Sequence, residues 1–180
     1  MLIEKRARKE ADFYPTVKAI YKEAFPKEER FPLAFFEYRA AKGKADFCTY
    51  WFGDTLVGFS YALKNETDVY VFYLAVKKEE RGKGYGSEIL DIIKEKYKDK
   101  VVCLDIEPVD ENAENHGQRA ARKLFYQKNG FTSQTERMEY ADAKYEIMSR
   151  GGTVTDRAFQ TLLKSWLGDF LFPFFKVRIR

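Results

Sequence analysis

The sequence predicts a fold of the α/β (α+β) class with a central mixed, mostly antiparallel sheet of about seven strands. About four helices flank the sheet, and a C-terminal helix and an apolar tail follow it. Three short apolar segments between residues 47 and 76 are joined by turn residues, which is typical of an antiparallel meander. A segment of helical period then separates the fourth strand from the fifth, so those two strands must run parallel through a right-handed crossover.

The N-terminal part predicts an edge strand over residues 2–8 and two helices, over residues 12–25 and 33–42. Pro15 fits the first turn of the first helix, and two prolines interrupt the pattern between the helices. Residues 25–38 are rich in aromatic side chains. We expect these side chains to belong to the core, the alternative being that they line a pocket.

The meander consists of strands 47–52, 56–63 and 69–76, and the first two are joined at Gly53-Asp54, a hairpin signal. A helix from residue 85 and a strand over residues 101–106 follow. A helix over residues 111–129 is predicted to stop at Asn129-Gly130, before strands 138–140 and 145–148 around a turn at residues 141–143.

Residues 155–168 predict a last helix, and residues 170–175 form an apolar tail. We expect two parts in the chain, a main domain over residues 1–150 and a C-terminal helix with its tail over residues 151–180. So apolar a tail is expected to be covered by the body of the domain, by a second subunit or by another partner, with packing on the domain as the default. A homodimer is the corresponding hypothesis.

The charge, the cysteine content and the hydrophobic segments of the chain indicate which kinds of ligand and cellular location to expect. The net charge of +4 arises from 32 basic and 28 acidic residues that are dispersed along the chain, which suits a small anionic ligand and is poor support for nucleic acid binding. Cys48 and Cys103 lie in apolar segments without metal-ligand spacing, so we expect buried free thiols and no metal. No signal peptide or membrane span is predicted, and the expected location is the cytoplasm.

One stretch, residues 72–87, carries the functional signal: a buried strand, a charged turn, a glycine-rich loop and the start of an amphipathic helix. Alternate glycines allow successive backbone N–H groups to face one point, and the helix N-terminus adds a partial positive charge. This arrangement predicts a site for a phosphate or pyrophosphate. The spacing differs from that of a Walker loop, which needs Lys-Ser/Thr, and from the GxGxxG dinucleotide loop.

Arg81, Gly84 and Gly86 match the Arg-x-x-Gly-x-Gly loop of the GNAT N-acetyltransferases, and the chain resembles that family over about residues 2–148. Residues 126–131, YQKNGF, resemble the family's Tyr-x-x-x-Gly-Phe helix end, and residues 104–108 resemble a small bacterial branch. The chain departs from the family at Arg119 and Arg122, and where some members carry a glutamate base on strand four it has Val69 and Tyr70.

The resemblance implies that acetyl-CoA is the co-substrate and that strands four and five splay apart to admit its pantetheine arm. Main-chain groups of strand four would bind that arm, the loop would bind the pyrophosphate, and two arginines of the following helix would add positive charge. The cofactor-binding residues implied in this way are Leu74, Ala75, Val76, Arg81, Gly82, Lys83, Gly84, Tyr85, Gly86, Ser87, Arg119 and Arg122.

The resemblance also gives Tyr126 the role of the acid that protonates the leaving thiolate, whereas its alternative is a packing role. Glu107 is our candidate for the general base, with Asp105 second. The alternative is that both are solvated strand-end charges or helix-cap partners. His116, the only histidine, is expected to be a surface residue. The stripe formed by Asn115, Arg119, Arg122 and Tyr126 faces either water or a ligand cleft.

These observations together predict an acetyl-CoA-dependent N-acetyltransferase that acts by direct attack of a primary amine in a ternary complex. The alternative is a non-catalytic acyl-CoA-binding or protein-interaction module, and a third interpretation is a nucleotide-binding domain. The amine acceptor is left open among small molecules and peptides, because fold analogy does not choose among acceptors.

Overall fold

A computed structural model of the chain describes residues 1–9, 11–140 and 143–180, with residue 28 described by its backbone alone. Five α-helices are found among these residues: α1 Tyr14–Ala24, α2 Leu33–Ala41, α3 Tyr85–Lys96, α4 His116–Lys128 and α5 Asp156–Leu171. The strands are β1 Ile3–Arg6, β2 Ala45–Phe52, β3 Thr55–Lys64, β4 Asp68–Val76, β5 Val101–Ile106, β6 Thr132–Tyr140, β7 Ala143–Arg150 and β8 Val177–Ile179.

The strands form a mixed sheet in the order β1-β2-β3-β4-β5-β7-β6-β8. The predicted α/β class, the antiparallel meander and the parallel pairing of β4 with β5 are confirmed. The ladder between β4 and β5 comprises three pairs, Asp68–Tyr70 with Val101–Cys103, and β4 continues to Val76.

The sheet has eight strands among the described residues, where about seven were predicted, because the end of the apolar tail adds strand β8 to β6. Strand β6 also begins at Thr132, six residues before its predicted start, since its polar sequence hides the pairing with β7. The predicted turn at residues 141–143 falls largely outside the described residues. No helix of the described residues is long and apolar enough to cross a membrane.

The chain divides into two units. The first comprises Met1–Lys64 and Val71–Lys96, and its core is built from aromatic side chains. Phe36 of α2 is fully buried and stacks on Tyr61 with ring centroids 4.1 Å apart, and Tyr21 of α1 meets Tyr73 of β4 edge-on at 5.2 Å. The expectation that the aromatic residues between positions 25 and 38 form core is confirmed for Phe36, whereas Tyr38 is half exposed.

The second unit comprises Asn65–Tyr70 and Tyr97–Arg180. Its core lies between α5, which buries Phe159, Leu162 and Trp166, and strands β5, β6 and β7. Glu146 is buried on β7 and forms an ion pair with Lys123 of α4 at 2.8 Å. Helix α4 ends at Lys128 and is followed by the predicted stop signal Asn129-Gly130, in which Gly130 takes the left-handed conformation with φ of 83°. The division of the chain at residue 150 stays a prediction.

Candidate functional site

The glycine-rich loop of the first unit connects the short 3-10 turn Lys78–Glu80 to the first residue of α3. Gly82 and Gly84 adopt left-handed conformations, with φ of 80° and 85°, that other residues rarely take. A Cβ atom placed on either glycine would meet nothing within 4 Å, so the loop stands open toward its surroundings. The glycines are therefore required by the backbone conformation rather than by close packing.

The loop presents backbone donors. Helix α3 starts with the carbonyl of Gly84, which accepts hydrogen bonds from the N–H groups of Ser87 at 3.0 Å and Glu88 at 3.2 Å. Within the described part of the chain, the N–H groups of residues 82–86 have no backbone acceptor. Successive N–H groups ahead of a helix N-terminus form a cradle for an anion, and we call residues 82–86 the amide cradle.

Both cations of the loop contact nearby acidic groups or carbonyls. Nε of Arg81 donates to the carbonyl of Val76 at 3.1 Å, and its guanidinium group lies 3.7 Å from Glu23. Lys83 binds Glu80 at 2.8 Å, and this hydrogen bond raises the pKa of Lys83. Arg81 thereby links the loop to the end of β4, a positioning role that the sequence did not indicate.

Strand β4 changes its exposure along its length. Residues 68–71 are all buried, whereas Phe72, Leu74 and Val76 are half-buried and alternate with the buried Tyr73 and Ala75. The alternation places the three half-buried side chains on one face of the strand. This half of β4 contains all three residues of the strand that the sequence predicts as cofactor-binding.

Gly58 on β3 is a position whose importance sequence reasoning missed. A Cβ atom there would lie 2.4 Å from the carbonyl oxygen of Ala75 and 3.3 Å from Cα of Val76. Only glycine lets β3 approach this part of β4 so closely. A glycine inside a predicted strand was the available signal, but it is equally typical of a bulge.

In the second unit, the polar stripe of α4 converges on Glu107 just beyond the end of β5. Arg119 binds one carboxylate oxygen of Glu107 at 2.8 Å, and Arg122 binds the other at 3.3 Å. Asn115 accepts from Nε of Arg119 at 2.7 Å, and its own amide donates to Glu107 at 3.4 Å. The stripe thus contacts a carboxylate of its own unit. Both oxygens of Glu107 therefore contact guanidinium groups, which compete with a substrate proton for the lone pairs of the carboxylate.

Tyr126, near the C-terminal end of α4, is half-buried and packs against Phe125 and Phe131, at centroid distances of 5.1 and 5.9 Å. Burial raises the pKa of Tyr126 to about 12, with a smaller opposing effect of the Arg122 charge. The phenol is therefore protonated throughout the neutral range, which is the form that donates a hydrogen bond or a proton.

The other candidates have structural partners. Asp105 accepts a short hydrogen bond from the hydroxyl of Tyr70, and Nδ1 of His116 lies 3.0 Å from the carbonyl oxygen of Asp110. Cys48 and Cys103 are buried and free, as predicted, and burial raises the pKa of Cys48 to about 12. Neither thiol is a nucleophile at neutral pH, because burial raises the pKa of Cys103 as well. No cluster of potential metal ligands occurs among the described residues.

The fold and the loop define a class of transferases. A family model described as an acetyltransferase (GNAT) domain matches residues 43–133, a range that begins just before β2 and ends within β6. The chain belongs to the GNAT acetyltransferase family, as the sequence resemblance implied. No curated protein matches the sequence.

Solved structures agree on the fold. A GNAT-family protein from Bacteroides thetaiotaomicron superposes with a TM-score of 0.75 at 20% identity, covering 94% of this chain and 98% of that one. An aminoglycoside 6'-N-acetyltransferase in complex with coenzyme A gives 0.63 at 14% identity, with coverage of 82% and 96%. A Bacillus subtilis acetyltransferase in complex with CoA gives 0.57 at 18% identity, with coverage of 83% and 97%.

Proposed function

We propose that the protein is an N-acetyltransferase that moves an acetyl group from acetyl-CoA to a primary amine by direct attack in a ternary complex. The observation that carries this proposal is the amide cradle, residues 82–86, whose N–H groups have no backbone acceptor among the described residues. A pyrophosphate supplies the oxygen acceptors that such a cradle requires. Membership of the family and the coenzyme A complexes of two structural neighbours support the choice of acetyl-CoA.

The glycine-rich loop has open space beside it in which the pyrophosphate of acetyl-CoA could lie. Nothing lies within 4 Å of the positions that a Cβ on Gly82 or Gly84 would take. In the proposal, Tyr85 and Gly86 form the end of the cradle at the start of α3. Ser87 follows them, and its own N–H already donates to the carbonyl of Gly84. Arg81 and Lys83 contribute positive charge from its rim, although both already contact acidic side chains.

Strand β4 would hold the pantetheine arm through the main-chain groups of Leu74, Ala75 and Val76, in the manner of an added strand. Bound acetyl-CoA supplies the thioester at which the amine reacts. A main-chain N–H of this segment would donate to the carbonyl oxygen as negative charge develops on it. The placement of Ala75 depends on Gly58, because any larger residue at position 58 would meet the Ala75 carbonyl.

Tyr126 is the proposed proton donor to the thiolate. The assignment comes from the family resemblance, and the raised pKa supports it by keeping the phenol protonated at neutral pH. The base role of Glu107 and the cofactor contacts of Arg119 and Arg122 stay predictions. The ion pairs among these three residues supply a structural alternative for each of them.

The experiment is a thermal melt of the protein with and without acetyl-CoA, followed by a thiol-release assay over a mixed amine panel. We expect acetyl-CoA to raise the melting temperature, because a ligand that binds only the folded state stabilises it. Thiol release that depends on one class of amine would then identify the acceptor. Absence of a shift contradicts the proposal.

The two other interpretations predict different results from the same experiment. A non-catalytic acyl-CoA-binding module would show the thermal shift without thiol release for any amine. A nucleotide-binding domain would respond more strongly to NAD or ATP than to acetyl-CoA. The cytoplasmic location stays a prediction.

A further inference from the structure

Large apolar side chains are exposed at the end of α5 and in the 3-10 turn Phe172–Phe174 that follows it. Phe170 is 82% exposed, Phe174 is 75% exposed and Leu171 is 38% exposed. The rings of the two phenylalanines lie 6.3 Å apart between centroids. Gly168, with φ of 79° and ψ of 167°, interrupts the helix immediately before them. We call Phe170, Leu171 and Phe174 the aromatic tip.

A row of cations follows the aromatic tip along the chain. Val177 and Ile179 of β8 are 6% and 7% exposed and belong to the core. Strand alternation therefore places their neighbours on the opposite face, where all three are exposed: Lys176, Arg178 and Arg180. Residues 170–180 contain these three basic residues and no acidic one. We call the three the basic row.

The tip and the row are structurally continuous. Phe175 stacks on Tyr140 of β6 with a centroid distance of 5.8 Å and an interplanar angle of 10°. Tyr140 is also the pairing partner of Val177, the first residue of β8. The aromatic segment and the cationic face thus share the β6–β8 ribbon, and Tyr140 is itself 42% exposed.

Acidic groups near the row neutralise it only in part. Arg178 lies 3.8 Å from Asp156, and Arg180 lies 3.7 Å from Glu139, which also has Lys144 at 3.6 Å. Next to the tip, Asp169 is 91% exposed and lies 3.3 Å from Lys164. The basic row and Lys144 carry four positive charges against the two negative charges of Asp156 and Glu139, so this face keeps a net positive charge that attracts a negatively charged surface.

A second copy of the chain is a poorer occupant for this surface. The outer edge of β8 is closed to strand addition, because Asp156 accepts from the N–H of Ile179 at 2.8 Å and Gln160 donates to the carbonyl of Val177. Two phenylalanines of about 150–250 Å² each provide far less than the roughly 800 Å² per partner of a stable interface. A two-fold contact would also bring the two basic rows together.

We propose that the aromatic tip and the basic row bind the surface of an anionic lipid bilayer. Exposed aromatic side chains beside lysine and arginine suit the boundary between headgroups and acyl chains. The phenylalanine rings would enter this boundary while the three cations contact lipid phosphates. Charge complementarity selects the bilayer over an uncharged apolar partner, and the proposal is independent of the reaction that the protein catalyses.

The experiment is flotation of the full chain with phosphatidylcholine vesicles that contain or lack phosphatidylglycerol. We expect binding to the anionic vesicles only, with a loss of at least about tenfold in the double variant Phe170→Ser, Phe174→Ser. Arg178→Gln should weaken binding, and raised salt should do the same. Asp169→Asn should strengthen it, since it removes the negative charge next to the tip and frees Lys164 from its ion pair. Ile3→Ser, at a 56% exposed apolar position on β1, is the matched control and should leave binding unchanged.

Four outcomes would overturn the proposal. The first is absence of binding to anionic vesicles by a protein whose melt shows that it is folded. The second is equal binding to both kinds of vesicle, and the third is an unchanged partition in the double variant. The fourth is a dimer in solution, measured by light scattering, that dissociates in the double variant, because the tip would then belong to a second copy.

Discussion

The ideal Cβ position of Gly58 lies 2.4 Å from the carbonyl oxygen of Ala75. Real Cβ atoms do not approach a backbone oxygen so closely, so any other residue at position 58 displaces either β3 or β4. The pairing of β2 with β3 shifts register beside this glycine, between Tyr50 and Trp51. The segment of β4 that is proposed to hold the pantetheine arm therefore keeps its position because Gly58 of β3 has no side chain to displace the Ala75 carbonyl.

Gly58→Ala should destabilise the fold and weaken acetyl-CoA binding together. The methyl group must displace the Ala75 carbonyl, and overpacking of this kind costs about 1–3 kcal/mol. Denaturant unfolding and calorimetric titration with acetyl-CoA measure the two effects. Gly117→Ala is the matched control, because a Cβ there meets nothing within 4 Å. A Gly58→Ala variant that is destabilised but binds acetyl-CoA with the parental affinity would show that this part of β4 does not bind the cofactor.

Gly84→Glu should abolish the thermal shift caused by acetyl-CoA, because it places a carboxylate at the amide cradle and a side chain on a left-handed residue. Gly43→Glu imposes comparable backbone strain, since φ is 71° at Gly43 and 85° at Gly84, and both sites are open within 4 Å. We expect both variants to melt earlier and only Gly43→Glu to keep the shift. Retention of the shift in Gly84→Glu would exclude the cradle as the pyrophosphate site.

Tyr126→Phe should lower kcat by an amount on the order of 10²-fold while leaving acetyl-CoA affinity within about a factor of two. Steady-state kinetics and titration distinguish the two effects, with Tyr140→Phe as an exposed control. Because the pKa of Tyr126 is about 12, its ionisation should produce no fall in kcat below about pH 10. Equal turnover in Tyr126→Phe would leave the residue with a packing role.

Glu107→Gln distinguishes a role of Glu107 as the general base from a role in holding Arg119 and Arg122. Since both carboxylate oxygens are bound by Arg119 and Arg122, we expect the main effect to be a loss of about 1 kcal/mol in unfolding free energy, with kcat retained within about a factor of two. Glu111→Gln, at an exposed position, is the control. A fall in kcat on the order of 10²-fold with an unchanged melting temperature would instead support Glu107 as the base.

Glu146→Gln should destabilise the protein in a pH-dependent way. Burial by itself would raise the pKa of Glu146, but hydrogen bonds from Lys123 and Ser133 and the charges of Lys123 and Arg137 hold it below its ordinary value. A lowered pKa stabilises the fold above the pKa of the unfolded chain, and this stabilisation is lost as pH falls through the folded value. We expect a cost of about 1–3 kcal/mol at pH 7 that shrinks toward pH 3.

Denaturant unfolding at both pH values measures this cost, and Glu136→Gln on exposed β6 is the control. A cost that stays constant with pH would mean that Glu146 contributes through packing rather than through its charge.

The glycine loop and the meander could be predicted from sequence because their causes are local. Gly82 and Gly84 favour the left-handed backbone conformation that the structure shows. The apolar run that ends at Val76, shortly before them in the sequence, predicts a buried strand. The pairing of Glu107 with Arg119 and Arg122 could not be predicted from the sequence. It joins the end of a strand to residues of a helix that are 12 and 15 positions further along the chain. From the sequence alone, the two arginines were equally consistent with exposure to water and with contact to a ligand. Strand β8 was missed for the same kind of reason: three residues carry no strand signal until β6 supplies their partners.

The sequence by itself indicated the family, the order of the elements along the chain as far as α5 and the position of the glycine-rich loop, because backbone preference and the period of apolar residues act over short stretches of chain. Only the tertiary structure decided which face of β4 is half-buried, that Gly58 places Ala75, and that the tail ends as an eighth strand beside an exposed aromatic tip. Those features depend on contacts between segments that are far apart in the sequence. The free energy of such a contact is determined by both segments together, so neither segment alone predicts it.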